Sequence, residues 1–218
     1  ILENRQYQNH LEEMVASQVA EMTRMQDEVI TGIANLIESR DGSTGLHVKN
    51  TQNYVQILTK ALREKGMYPD ILDHNYELNT VKASVLHDIG KIKTPDAILL
   101  KPGRLTDEEF EVMKQHTVAG CEIIDRIIGN VEHEEYVDIA RKIARYHHER
   151  WDGTGYPDGL SGEEIPLCAR IMALADVFDA LYQDRCYKKA IRPASKVFEI
   201  IKENSGSQFR SEEHTSEL

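Results

Sequence analysis

The chain of 218 residues is long enough for one well-packed domain with a lead-in segment, but short for two full domains. Lys and Arg number 26 against 37 Asp and Glu, so the net charge of −11 excludes the general positive field with which proteins hold a nucleic acid polymer. The three cysteines are widely spaced, which indicates a reducing cytoplasm rather than a disulfide framework, and no apolar stretch is long enough to predict a membrane span.

The N-terminal segment has the pattern of a coiled-coil helix. Apolar or near-apolar residues alternate at four- and three-residue steps, at Leu11, Val15, Gln18, Met22, Met25 and Val29. We predict a lead-in helix over residues 1–30 that forms a homodimer; the alternative is an amphipathic helix packed on its own domain. Because Ile1 stands where a start methionine would, we expect a fragment of a longer protein with an upstream receiver or sensor domain.

The rest of the chain is predicted to be one all-α domain over residues 31–209. Apolar periodicity and Gly/Pro punctuation predict helices at 48–65, 76–90, 106–128, 134–149, 163–182 and 193–203. Thr106 and Glu109 form a capping box, and the Gly- and Pro-rich stretch 152–162 is predicted to be an ordered loop. Residues 210–218 have neither apolar periodicity nor turn chemistry, so we expect a non-native tail that truncates the domain.

Two short motifs carry the chemistry. His87-Asp88-Ile-Gly-Lys91 places an imidazole beside a carboxylate whose two oxygens can bridge two divalent cations, and His147-His148 adds two nitrogen donors. Lys91 is predicted to share a helical face with His87 and to hold a phosphate oxygen; a buried Asp88–Lys91 ion pair is the alternative. Gly90 is predicted to let another backbone approach closely. The motifs therefore predict a metal-dependent phosphohydrolase.

These residues resemble a known superfamily. His47, His87-Asp88 and Asp176 are similar to the His…His-Asp…Asp signature of the HD phosphohydrolases, and His147-His148 with Gly155-Tyr156-Pro157 resembles the HD-GYP branch. The resemblance implies an HD-type helical bundle that hydrolyses cyclic di-GMP with two or three iron or manganese ions. It implies as metal ligands His47, His87, Asp88, His116, His147, His148 and Asp176. Five imidazoles and two carboxylates, with Asp88 bridging, suffice for two divalent ions that keep open positions.

The resemblance also implies substrate contacts. Lys91 matches the phosphate-contacting lysine of the HD-GYP branch, and its further substrate-side residues correspond to Asp179, Arg185 and Lys188. The expected reaction is attack of a metal-bridging hydroxide on a phosphodiester of cyclic di-GMP, with Asp88 and Lys91 as catalytic residues, giving linear pGpG and, on complete hydrolysis, GMP. Tyr156 is expected to shape the nucleotide pocket; Tyr156 and Trp151 either stack on guanine or fill the core.

Two positions depart from the family pattern. Ser43 stands where many members carry a Glu associated with a third metal, which favours a dinuclear site, and Cys186 stands where Pro is usual. The missing Glu leaves open the alternative of a cyclic-dinucleotide-binding signalling module with low turnover. A second alternative is a phosphohydrolase for another cyclic dinucleotide, because the pocket residues do not exclude one.

Overall fold

The computed structural model describes residues 2–41, 45–129, 134–183 and 190–210. Over these ranges the fold is all-α, as predicted, with an isolated bridge between Ser205 and Phe209 in place of any sheet. The helices are α1 (Leu2–Glu38), α2 (His47–Glu64), α3 (His74–Ala83), α4 (Asp96–Leu99), α5 (Asp107–Ile128), α6 (Glu134–Tyr146), α7 (Leu167–Tyr182) and α8 (Ala194–Glu203). None of these helices combines the length and the apolar content needed to cross a bilayer.

The predicted helix over 76–90 is wrong in its second half. Helix α3 ends at Ala83, and two 3-10 turns, Ser84–Leu86 and Ile89–Lys93, follow it. The second turn contains Gly90, where a Cβ would lie 1.8 Å from the backbone oxygen of His116 in α5. This close approach of two backbones, predicted for Gly90, accompanies the change from α-helix to 3-10 turn.

The other predicted helices are found within a few residues of their expected ends. The capping box of Thr106 and Glu109 opens α5 as predicted. Helix α6 ends at Tyr146, so His147 and His148 follow the helix rather than lie within it. The short helix α4 was not predicted, because four residues are too few to show a helical period.

Helix α7 is the central element. Every residue from Leu167 to Ala175 is buried, as expected of a helix that is apolar on all faces. It packs against α2, α6 and α8. The carboxylates of Asp176 and Asp179 follow this apolar stretch, so α7 carries two acidic groups into the interior.

Helix α1 runs continuously across the predicted domain boundary at residue 30. The last turns of α1 belong to the hydrophobic core: Ala34 and Ile37 are buried in it, and Ile30 packs against it. Its earlier turns expose the heptad positions, including Val15, Met22 and Val29, at 55, 63 and 60%. An ion pair of 3.0 Å between Lys82 Nζ and Asp27 Oδ2 ties the middle of α1 to α3. The outer half of α1 therefore presents an apolar stripe to its surroundings.

Candidate metal centre

All seven predicted metal ligands meet in one place. They come from the first residue of α2, the 3-10 turns after α3, the middle of α5, the residues after α6 and the C-terminal half of α7. Their donor atoms form two groups, each within 4.8 Å: Asp88, His116, His147 and His148 in one, and His47, His87 and Asp176 in the other.

Asp88 lies between the two groups. Its Oδ1 is 3.3 Å from His116 Nε2 and 3.7 Å from His147 Nε2, whereas its Oδ2 is 3.4 Å from His87 Nε2. One oxygen faces each group, which is the arrangement by which a carboxylate bridges two cations. This geometry supports the bridging role of Asp88, which stays a prediction.

Backbone carbonyls orient three of the imidazoles. In each ring Nδ1 lies at hydrogen-bond distance from a carbonyl oxygen three or four residues earlier. The pairs are His87 with Ser84 at 2.9 Å, His116 with Met113 at 2.7 Å and His147 with Ile143 at 2.9 Å. Because a carbonyl can only accept, Nδ1 carries the proton and Nε2 offers its lone pair to a metal when the ring is neutral.

His47 is held differently, by a side chain. Its Nδ1 lies 2.7 Å from Oδ2 of Asp179, which is 1% exposed, and its Nε2 lies 3.4 Å from Oδ1 of Asp176. Asp179 thus lies behind the His47 ring and orients it, a role that the sequence analysis missed. The three-residue spacing of Asp176 and Asp179 on one helix face was the available signal. A contact of Asp179 with substrate stays a prediction.

Within the described part of the chain, three donor atoms of the seven predicted ligands are buried without a hydrogen-bond partner: Asp88 Oδ1, His116 Nε2 and His147 Nε2. Buried polar atoms are nearly always satisfied, so such a concentration calls for an ion or water among them. A divalent cation would satisfy all three at once. The nitrogen and oxygen donors, without thiolate, suit a first-row transition ion. The residues therefore fit a metal centre.

The two groups differ in protonation. Burial lowers the pKa of His116 to about 4, and burial together with the neighbouring imidazoles lowers the pKa of His148 well below its usual range. Burial also disfavours charge on His87, but the nearby Asp88 carboxylate outweighs it and raises the pKa of His87 to about 9. Burial opposes ionisation of Asp176, yet the facing imidazoles, His47 foremost, lower its pKa to about 2. The His87 group therefore holds protons that a metal must displace.

Comparison with known proteins identifies the family. A family model described as HD domain matches residues 9–212. The chain belongs to the HD domain family. This confirms the family that the His-Asp motif predicted.

Curated relatives are similar over most of the chain. A cyclic di-GMP phosphodiesterase of Vibrio cholerae is 46% identical over 87% of this chain and 38% of its own length. The cyclic di-GMP phosphodiesterase response regulator RpfG of Xanthomonas campestris is 39% identical over 83% of this chain and 44% of its own length. The 3'3'-cGAMP-specific phosphodiesterase 2 of Vibrio cholerae is 39% identical over 74% of this chain and 28% of its own length. The chain spans less than half the length of each of these relatives.

A solved structure shows the same fold. The HDGYP protein Bd1817 of Bdellovibrio bacteriovorus superposes with a TM-score of 0.56 at 17% identity, covering 86% of this chain and 59% of that one. The HD-type helical fold predicted from the motifs is therefore confirmed.

Lys91 lies beside the HD motif but not as predicted. Its Nζ is 2.7 Å from Asp88 Oδ2, three residues earlier, because the 3-10 turn aligns residues i and i+3. In a regular α-helix Lys91 would also neighbour His87, four residues earlier. The structure thus shows the Asp88–Lys91 ion pair that the sequence analysis held as an alternative, and a metal on Asp88 would compete with the ammonium for Oδ2.

Glu149 fixes the loop that carries the Gly-Tyr-Pro motif, and the sequence analysis missed it. This carboxylate is 3% exposed and accepts three backbone N–H groups, from Asp158, Gly159 and Leu160, at 2.8 to 3.1 Å. A Cβ on Gly155 would lie 2.4 Å from the backbone nitrogen of Arg150, so the loop folds directly onto the chain that follows His148. These contacts support the prediction of an ordered loop.

The two aromatic residues of this region have different surroundings. The Tyr156 ring lies 4.8 Å from the His148 ring and 5.9 Å from the Phe110 ring, measured between centroids, so it borders the metal centre. The Trp151 ring lies 5.6 and 5.5 Å from the guanidinium carbons of Arg170 and Arg210. These contacts favour the structural alternative for Trp151, whereas the expected role of Tyr156 in a nucleotide pocket stays a prediction.

Several sequence predictions fall outside the described residues: Ser43, Arg185, Cys186, Lys188 and residues 211–218. Arg210, the first residue of the expected non-native tail, is described; its Nη1 donates to Glu163 Oε1 at 2.9 Å and to the Tyr68 hydroxyl at 3.3 Å.

Proposed function

We propose that this HD domain is a metal-dependent phosphodiesterase of bacterial second-messenger signalling that hydrolyses cyclic di-GMP to linear pGpG and, on complete hydrolysis, to GMP. The observation that carries the proposal is the position of Asp88 between two groups of donors, three of whose atoms are buried without a partner. The relatives at 46 and 39% identity, both named as cyclic di-GMP phosphodiesterases, support the substrate.

The proposed site holds two divalent ions, iron or manganese, through the seven predicted ligands. When bound, such ions supply an activated water and neutralise charge on the phosphate. Asp88 would link the two metal positions, and Asp179 keeps His47 turned towards Asp176.

Lys91 exchanges its pairing with Asp88 for a phosphate oxygen of the substrate. Tyr156 forms the wall of the nucleotide pocket next to His148. Arg185 and Lys188 are proposed as further phosphate contacts on the basis of the family pattern alone.

A second candidate substrate is 3'3'-cGAMP. The relative specific for it is 39% identical over 74% of this chain, close to the value for the cyclic di-GMP relatives. A third candidate, a cyclic-dinucleotide-binding module with low turnover, is favoured by Ser43, which stands where the family pattern has the Glu associated with a third metal.

We also propose that α1 forms a homodimer and connects to an upstream receiver or sensor domain. The exposed heptad positions of α1 support the dimer, because a stripe of apolar side chains along a helix is stabilised by a second helix. The greater length of the relatives, one of them a response regulator, supports the upstream domain. A cytoplasmic location is proposed from the cysteine pattern; Cys121 and Cys168 are free thiols.

The test is metal content together with hydrolysis of cyclic di-GMP and 3'3'-cGAMP. The protein is purified without oxygen and reconstituted with Fe(II) or Mn(II), beside a His87→Ala/Asp88→Ala variant. About two ions per chain and cleavage of cyclic di-GMP, both lost in the variant, are the expected result. Preference for 3'3'-cGAMP would favour the second candidate, whereas bound metal and nucleotide without cleavage would favour the third. Absence of bound metal would refute the site.

A further inference from the structure

The last residue of α1 is a buried carboxylate at the edge of the metal centre. Glu38 is 3% exposed, and one of its oxygens lies within 4.8 Å of donor atoms of both His47 and Asp88. Neither the motifs nor the family pattern pointed to this residue. Donor atoms bound to one first-row ion at about 2.0–2.3 Å must themselves lie within about 4.5 Å of each other, so these separations approach those of a ligand set.

Negative charge is concentrated at this position. The last turn of α1 contains no basic residue, and the C-terminal end of a helix carries partial negative charge. Lys91 Nζ lies 3.9 Å from Glu38 Oε2 and 2.7 Å from Asp88 Oδ2, so both buried carboxylates border the same ammonium group. A divalent cation at this place would be attracted by both carboxylates.

Arg40 holds this corner in place. Its guanidinium donates to the backbone oxygens of Ile92 and Thr94 at 3.3 and 3.4 Å and to Asp96 Oδ1 at 2.6 Å. These bonds tie the turn that follows α1 to the end of the turn that carries Lys91. These contacts help to hold the end of α1, and with it Glu38, beside the turn that follows Asp88.

We propose that Glu38 is an eighth protein ligand, binding the ion held by His47 on the Oδ2 side of Asp88. This rests on the metal centre of the proposed function. It adds an oxygen donor to the group of His47, His87 and Asp176, and it makes the end of the lead-in helix part of the metal site. Bound metal thereby fixes the position of α1, and displacement of α1 weakens metal binding.

The test compares Glu38→Gln with Glu28→Gln, a matched substitution at an exposed position of the same helix. Mn(II) binding is titrated against a fluorescent chelator, ions per chain are counted by elemental analysis, and the metal-free melting temperature is recorded. We expect E38Q to keep the metal-free fold and to bind the weaker of the two ions about tenfold or more less tightly, while E28Q behaves as wild type.

A second variant distinguishes two roles of Glu38, that of a metal ligand and that of an ion-pair partner of Lys91. In a Lys91→Met background, E38Q should still weaken metal binding if Glu38 is a ligand. Wild-type affinity and stoichiometry in E38Q, or an effect of E38Q that disappears in the Lys91→Met background, would overturn the inference and leave the proposed function intact. Failure of the wild-type chain to bind metal would overturn both.

Discussion

Asp179 Oδ2 accepts a hydrogen bond from Nδ1 of His47 at 2.7 Å, and this bond turns the opposite nitrogen of the ring towards Asp176. Asp179→Asn keeps the size of the side chain but removes the charge that holds this tautomer. We expect metal affinity to fall by about 10- to 100-fold with little change in the metal-free melting temperature. Mn(II) titration measures the first quantity and circular dichroism the second. The exposed Asp138 on α6 provides the control variant, Asp138→Asn, and equal affinities in both variants would refute the orienting role.

Gly90 permits the contact between the HD motif and α5. In Gly90→Ala the new Cβ meets the backbone oxygen of His116, and neither side can move without displacing Asp88 or His116. We expect a loss of about 1–3 kcal/mol in the free energy of unfolding and weaker metal binding.

The matched control for this variant is Gly32→Ala in α1, where a Cβ would meet nothing within 4 Å. Because alanine has the higher helix propensity, this variant should be unchanged or up to about 1 kcal/mol more stable. Chemical denaturation monitored by circular dichroism compares the two. A Gly90→Ala protein as stable as wild type would show that the close approach is not required.

We expect Glu149 to stabilise the loop that carries the Gly-Tyr-Pro motif without affecting metal binding. Glu149→Gln leaves one side-chain oxygen to accept three backbone N–H groups, so the loop around residues 153–161 should open more often. We expect faster hydrogen exchange and proteolysis in this loop, and a higher KM for the nucleotide with metal content near wild type. Glu64→Gln, at an exposed position of α2, is the control. Loss of bound metal in Glu149→Gln would instead show that Glu149 supports the metal ligands.

Metal affinity should rise with pH. Burial opposes the charged form of His87 and of His47, but carboxylate partners outweigh it; the pKa of His87 is raised to about 9 and that of His47 above its usual value. Metal binds the neutral rings, so protons compete with it increasingly as pH falls below about 9. Calorimetric titration of Mn(II) at pH 7 in buffers of different ionisation enthalpy should show proton release. A binding enthalpy independent of the buffer would contradict this protonation state.

The apolar stripe of α1 should mediate dimerisation. Met22→Glu places a charge on the predicted seam, and we expect a monomer by sedimentation velocity at micromolar concentration. Ser17→Glu adds the same charge outside the heptad positions and should leave the dimer intact. A wild-type monomer would refute the proposed association.

The sequence predicted the candidate metal ligands more completely than the local geometry around them. The His-Asp and His-His pairs could be recognised because they are chemically distinctive, and the resemblance to the HD-GYP pattern added His47, His116 and Asp176. The capping box and the Gly/Pro-rich loop marked where helices begin and end. The 3-10 turns around His87 could not be predicted, since the close packing of Gly90 against α5 is a tertiary effect that local propensity does not show. The buried carboxylates of Glu38 and Glu149 were missed, and Asp179 was expected at the substrate rather than behind His47, because a buried carboxylate is recognised by its partners, which are distant in sequence.

The imidazoles of the site are held in two ways that differ in how mutation can change them. His87, His116 and His147 are anchored to main-chain oxygens, which remain whatever side chain occupies the anchoring position. His47 is anchored to the carboxylate of Asp179, which a single codon change can remove or reshape. Natural variation can therefore alter the position of His47, next to the lead-in helix, while these three imidazoles keep theirs.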